Sequence, residues 1–104
     1  MNLGRGKLGD TISFPLLVAT TGGVATNAAS TPTFSIIGAD FTANLISNKT
    51  MLKNNAVAAV TGMYYGQQNL RAASGFAAGY GYSVYFRYTA AGAARRQTGI
   101  IFVD

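Results

Sequence analysis

From Tyr80 to Tyr88 the side chains alternate without interruption. Tyr80, Tyr82, Val84, Phe86 and Tyr88 fall on one side of an extended backbone, and Gly81, Ser83, Tyr85 and Arg87 on the other. A helix would scatter these aromatics around its circumference. The run therefore predicts a strand with one face in the core and the other available for contact. Thr89 to Arg96 reads as a hairpin loop centred on Gly92, and Gln97 to Val103 returns as a final strand, antiparallel to the first.

The same period recurs earlier in the chain. Ile12, Phe14, Leu16 and Val18 alternate within Thr11 to Thr20, and Pro15 in that segment predicts an edge strand, because proline cannot donate to a ladder. Thr21 to Thr31 is Gly, Ala, Thr and Asn with few large side chains, a loop in which Gly22 and Gly23 supply turn conformations. Thr33 to Ile37 is a second strand, and Phe41 to Ile46 a third apolar segment after the punctuation of Gly38 to Asp40. Ser47 to Asn55 is polar and reads as a turn or loop. Ala56 to Tyr65 alternates as a strand with a bulge at Gly62, although Met51 to Thr61 also carries apolar residues at helical spacing.

A chain of 104 residues suits a single domain. Short strands separated by small-residue turns, with no heptad or fixed-period repeat, predict an all-β fold: a two-sheet antiparallel β-sandwich of immunoglobulin-like size over residues 11–104. Residues 1–10 hold Gly4, Gly6 and Gly9 around Arg5 and Lys7, a composition that builds no core. They read as an extended, flexible N-terminal arm whose order would come from docking on a neighbour.

Composition narrows the chemistry. There is no Cys, His or Glu, so disulfides, thiol nucleophiles, zinc sites and the commonest general base are excluded. The only carboxylate side chains are Asp10, Asp40 and Asp104, placed in turns and at the last position, which makes neither a paired-carboxylate site nor a divalent-metal cage. GRGKLGD lacks the spacing of a phosphate-binding loop, and no Ser–Lys motif marks a nucleophile. No catalytic residue, metal or cofactor is expected. Neither a signal peptide nor a membrane span fits, because TISFPLLVAT is short and interrupted by Pro15.

Charged residues make up 11% of the chain, against roughly 25% in ordinary soluble domains. A surface so poor in charge is expected to lie largely against other protein. The net charge of +5 favours anionic partners, yet the eight basic residues are scattered rather than blocked, unlike a genome-packing tail. GYGYSVYF at 79–86 superficially matches the aromatic strand of RNA-recognition domains, but Ala78 stands where a basic residue belongs and Ser83 where an aliphatic one does. Nucleic acid is not the expected partner. Tyr64 and Tyr65 beside Gln67 and Gln68 offer rings and amides that could hold a sugar, an alternative in which these residues form a glycan site.

The segments GDTISFPLLVAT (9–20), PTFSI (32–36), TGMYY (61–65), GFAAGYGYSV (75–84) and GIIFVD (99–104), in that order, resemble small Ig-like β-sandwich structural proteins of tailed bacteriophages. Such proteins act as capsid cement or decoration proteins, or as tail and baseplate parts. The resemblance implies a virion location, with the major capsid protein and further copies of the chain as partners. In that setting Leu3, Arg5, Lys7 and Leu8 of the arm would lie along a neighbouring subunit and extend its sheet. Arg87, Arg95, Arg96 and Tyr85 are the second set of expected surface contacts, projecting from the outer sheet face and the hairpin tip.

Overall fold

The computed structural model describes residues 2–19, 22–39, 43–53, 61–90 and 92–104. Among the described residues eight strands form two sheets: β1 (Asn2–Gly6), β2 (Thr11–Leu17), β3 (Thr33–Ile37), β4 (Asn44–Thr50), β5 (Leu52–Lys53), β6 (Met63–Asn69), β7 (Tyr80–Ala90) and β8 (Ala93–Val103). The larger sheet has the order β1-β8-β7-β3-β4 and the smaller β2-β6-β5. A single 3-10 turn, Ala72–Ser74, separates β6 from β7. The chain is all-β, in two sheets that do not close into a barrel.

The long hairpin is tighter than the sequence reading has it. β7 and β8 remain in register from Tyr80↔Val103 to Ala90↔Ala93, so residues 91–92 alone connect them, with Gly92 at φ 78°. Such a positive angle suits glycine, and two-residue connections match the twist of the flanking strands. Residues 89–90 and 93–96 of the expected loop are therefore strand, and Arg95 and Arg96 belong to β8 rather than to a loop.

The expected alternation along β7 is what packs the core. Tyr82, Val84, Phe86, Tyr88 and Ala90 are buried, joined from β8 by Ile101 and Val103; Tyr80, at the open end, is exposed. From the smaller sheet Phe14 meets Phe34 edge-on at 5.0 Å and Phe86 at 5.8 Å between ring centroids. Each such buried ring contributes about 1.5–3 kcal/mol by removal from water. Gly66 sits opposite Phe14 in the β2–β6 register, and a Cβ there would stand 2.4 Å from the Phe14 ring. Glycine makes room for the aromatic that joins the two sheets.

Two expectations are corrected. The larger sheet is mixed rather than antiparallel, because β1 runs parallel to β8. Residues 2–6 of the expected flexible arm are accordingly an edge strand of this chain's own sheet. Gly99 leaves a hole on the core side of β8 that Leu3 fills, since a Cβ on Gly99 would lie 2.6 Å from the Leu3 side chain. Asp104 N–H donates to the Gly6 carbonyl at 2.8 Å, and Arg5 pairs with the Asp104 carboxylate at 2.8 Å.

The polar segment expected as a loop from Ser47 is largely strand. β4 is an edge strand with an irregular register against β3: three residues of β4 span two of β3 between Phe34↔Lys49 and Ile36↔Ile46. Asn48 takes φ 48° there, and its N–H donates to the Ser35 hydroxyl at 2.9 Å. Pro15 does mark an edge, since β2 borders the smaller sheet. β6 begins at Met63, and Gly62 lies in the preceding turn rather than at a bulge, its N–H donating to Asn27 Oδ1 at 2.9 Å. Residues 54–60, most of the segment for which strand and helix were both considered, lie outside the described residues, as do Asp40 to Thr42.

Candidate functional site: the outer face of the larger sheet

One face of the larger sheet packs on the smaller sheet, while on the other no strand among the described residues is stacked. Alternation along β7 sends Gly81, Ser83, Tyr85 and Arg87 to that outer face, and the register brings Phe102, Ile100, Thr98 and Arg96 of β8 opposite them in turn. β3 adds Thr33, opposite Arg87, and Ile37. Gly81 carries no side chain to separate its neighbours, and a Cβ on it would meet both Ile100 and Phe102 at 3.2 Å. The result is a flat surface of partly exposed Ile37, Tyr85, Ile100 and Phe102 among small residues, with cations only at its ends.

Tyr85 is held in place at the middle of this face. Asn44 Nδ2 donates to its hydroxyl oxygen at 3.0 Å, and the Arg87 guanidinium lies 5.4 Å from its ring centroid. Ile37, Tyr85, Arg87, Arg96 and Thr98 together line a shallow depression. Arg87 and Arg96 are direct cross-strand partners, so two like charges stand with their Cβ atoms only about 5 Å apart, an arrangement that destabilises a sheet. Neither has an acidic partner among the described residues.

Of the expected surface contacts, the structure brings Tyr85, Arg87 and Arg96 together on the outer face. Arg95 is opposite Tyr88 in the register and so lies on the other side of the strand, where it adjoins Leu17, Ala19 and Gln97. It also lines a groove of about 360 Å³ at the hairpin end, shared with Arg87, Arg96, Ser30, Thr31 and Thr33.

The expected arm contacts divide differently. Leu3 is packed against the core, and Arg5 is engaged by Asp104 and lies 5.5 Å from the Phe102 ring. Lys7 and Leu8 remain exposed, in a turn closed by the Lys7 N–H donating to the Asp10 carboxylate at 2.9 Å. Leu3 and Arg5 are thus engaged within this chain, on a strand that pairs with β8.

The expected glycan set is dispersed. Tyr64, Tyr65, Gln67 and Gln68 lie on β6, where alternation turns Tyr64 and Gln68 inward, at 6% and 5% exposure, and leaves Tyr65 and Gln67 outward. The Tyr64 hydroxyl oxygen accepts from the Ala28 N–H at 3.2 Å. Gln68 accepts from Lys49 Nζ at 3.2 Å, and the same ammonium donates to the Gln67 carbonyl at 2.9 Å, which ties β4 to β6 across the two sheets. The four side chains therefore share no surface.

Ile37, Ile100 and Phe102 are the site residues that sequence reasoning missed. The outward placement of Ile100 and Phe102 depends on the two-residue connection at 91–92, since a longer loop leaves the pairing of β8 undetermined; that of Ile37 depends on the pairing of β3 with β7. Ala90 to Ala93 with its glycine was the available signal. Among the described residues no group of metal-ligating side chains converges on one point. No protein-family model matches this chain, and neither a curated protein nor a solved structure matches it significantly.

Proposed function

We propose that this chain is a non-enzymatic structural protein of a bacteriophage virion, an Ig-like sandwich that cements neighbouring shell subunits by seating the outer face of its larger sheet on them. The open face with Ile37, Tyr85, Ile100 and Phe102 carries this reading. β7 and β8 each run 11 residues, which at about 3.3 Å per residue is about 36 Å. Five strands spaced by about 4.8 Å give a width of about 24 Å. Shorter flanking strands reduce the product to roughly 600–800 Å², close to the ~800 Å² per partner of a specific interface.

The sheet edges favour contact by face over strand addition. β1 is five residues long and contains two glycines, β4 is irregular in register, β2 carries Pro15 and β5 has two residues. Short, bulged or proline-bearing edges resist pairing with another chain. The arm mechanism is therefore replaced: attachment rests on side chains of the sheet face, and the low charge content of the chain suits burial there. The major capsid protein is the proposed partner; a tail or baseplate position would use the same face.

The test is reconstitution with particles lacking the protein. Ser83→Lys places a bulky charge at the centre of the face without touching the core. The folded variant is expected to lose co-sedimentation with particles that the unaltered chain binds. Undiminished binding by Ser83→Lys would overturn the reading.

A further inference from the structure

The groove at the hairpin end does not resemble the rest of the face. Arg87, Arg95 and Arg96 line it together with the hydroxyl-bearing Ser30, Thr31 and Thr33, so its walls present guanidinium and hydroxyl donors in a concavity of about 360 Å³. The cross-strand opposition of Arg87 and Arg96 adds charge where a sheet tolerates it least. Among the described residues, counter-charge to Arg87 and Arg96 is remote. Asp104 lies eight residues from Arg96 along β8, about 26 Å at ~3.3 Å per residue, and is held by Arg5. Asp10 accepts the Lys7 N–H.

We propose that this groove is a carboxylate-binding site that receives an acidic segment of the partner polypeptide. The proposal deepens the assembly reading and rests on it. Planar guanidinium forks match carboxylates with paired hydrogen bonds, and the hydroxyls can complete the shell of donors around each oxygen. A second copy of the chain is a poor source of the anion, because it carries three Asp and no Glu, scattered at 10, 40 and 104, and the two described ones are engaged. A polynucleotide is also disfavoured. Its backbone needs a continuous basic track that neutralises several phosphates; here Lys49 is occupied by Gln67 and Gln68, and Arg5 by Asp104. The adjoining surface of Ile37 and Tyr85 suits the apolar side chains of a protein segment.

Fluorescence anisotropy with a labelled oligoglutamate peptide tests the proposal, using the intact chain, the double variant Arg87→Gln with Arg96→Gln, and a control that removes the same charge elsewhere, Lys7→Gln with Arg71→Gln. The expected result is loss of about tenfold or more in affinity for the first pair and less than about twofold for the control. Equal losses would overturn the site, since net charge alone would then explain binding. Tighter binding of an oligothymidylate with the same dependence on Arg87 and Arg96 would overturn it in favour of nucleic acid. Particle co-sedimentation separates the two levels of the reading. If Ser83→Lys abolishes attachment but the arginine pair binds no peptide, the carboxylate site fails and the assembly face stands. If peptide binding follows the arginines while Ser83→Lys attaches normally, the face fails.

Discussion

Two glycines show how single residues set this structure. Gly66 faces Phe14, and any side chain at 66 would drive into a ring that also touches Phe34 and Phe86. Gly66→Ala is expected to destabilise the chain by about 1–3 kcal/mol through overpacking, measured by urea unfolding. Gly99 performs the reciprocal task by leaving space for Leu3. Leu3→Ala should lower stability of the isolated chain by about 1–2 kcal/mol, below the range for a fully buried leucine because Leu3 is only partly buried. A free arm predicts no change in that experiment, so the measurement discriminates between the two placements of residues 2–6.

Strands whose buried residues alternate are the ones a reader can locate. β7 shows the pattern over its whole length and β2 around Phe14, while β3 is a short run with Phe34, Ser35 and Ile36 all buried, legible from its apolar residues and the Gly38 that follows them. β1 and β4 were not legible. Edge strands bury one face at most and pair on one side only, so polar and glycine residues persist in them, and NLGRG or NLISNKT carries no periodic signal. β1 is further hidden because a parallel pairing joins the two extremes of the chain, a contact that no local pattern encodes. Replacing Asn48 by a β-branched residue, Asn48→Val, should cost about 1–3 kcal/mol for a positive φ that valine adopts poorly; thermal unfolding followed by circular dichroism would measure it.

At the scale of the whole molecule, charge is sparse and unevenly placed. The single ion pair among the described residues joins Arg5 to Asp104, both largely exposed, while the opposite end of the larger sheet holds the opposed arginines. Added salt partly weakens repulsion between exposed like charges at this separation, as the Debye length shrinks to about 8–10 Å at moderate ionic strength. The melting temperature is therefore expected to rise by a few degrees between low salt and about 0.15 M salt. Arg87→Gln with Arg96→Gln should gain about 0.2–1 kcal/mol of stability and lose most of that salt dependence. A site that weakens the isolated fold and strengthens a complex would show this trade.

The fold class and the two faces of β7 were already set by the order of residues, because period-two alternation of large apolar side chains has one inexpensive solution in water: an extended strand with one side buried. Composition also fixed the absence of Cys, His and Glu chemistry, which no folding can supply. Long-range pairing placed Leu3 and Arg5 in this chain's own sheet, turned Tyr64 and Gln68 inward and set Arg87 opposite Arg96. Those outcomes depend on register and on pairing between distant segments, where the free energy comes from contacts that exist only once both strands are in place.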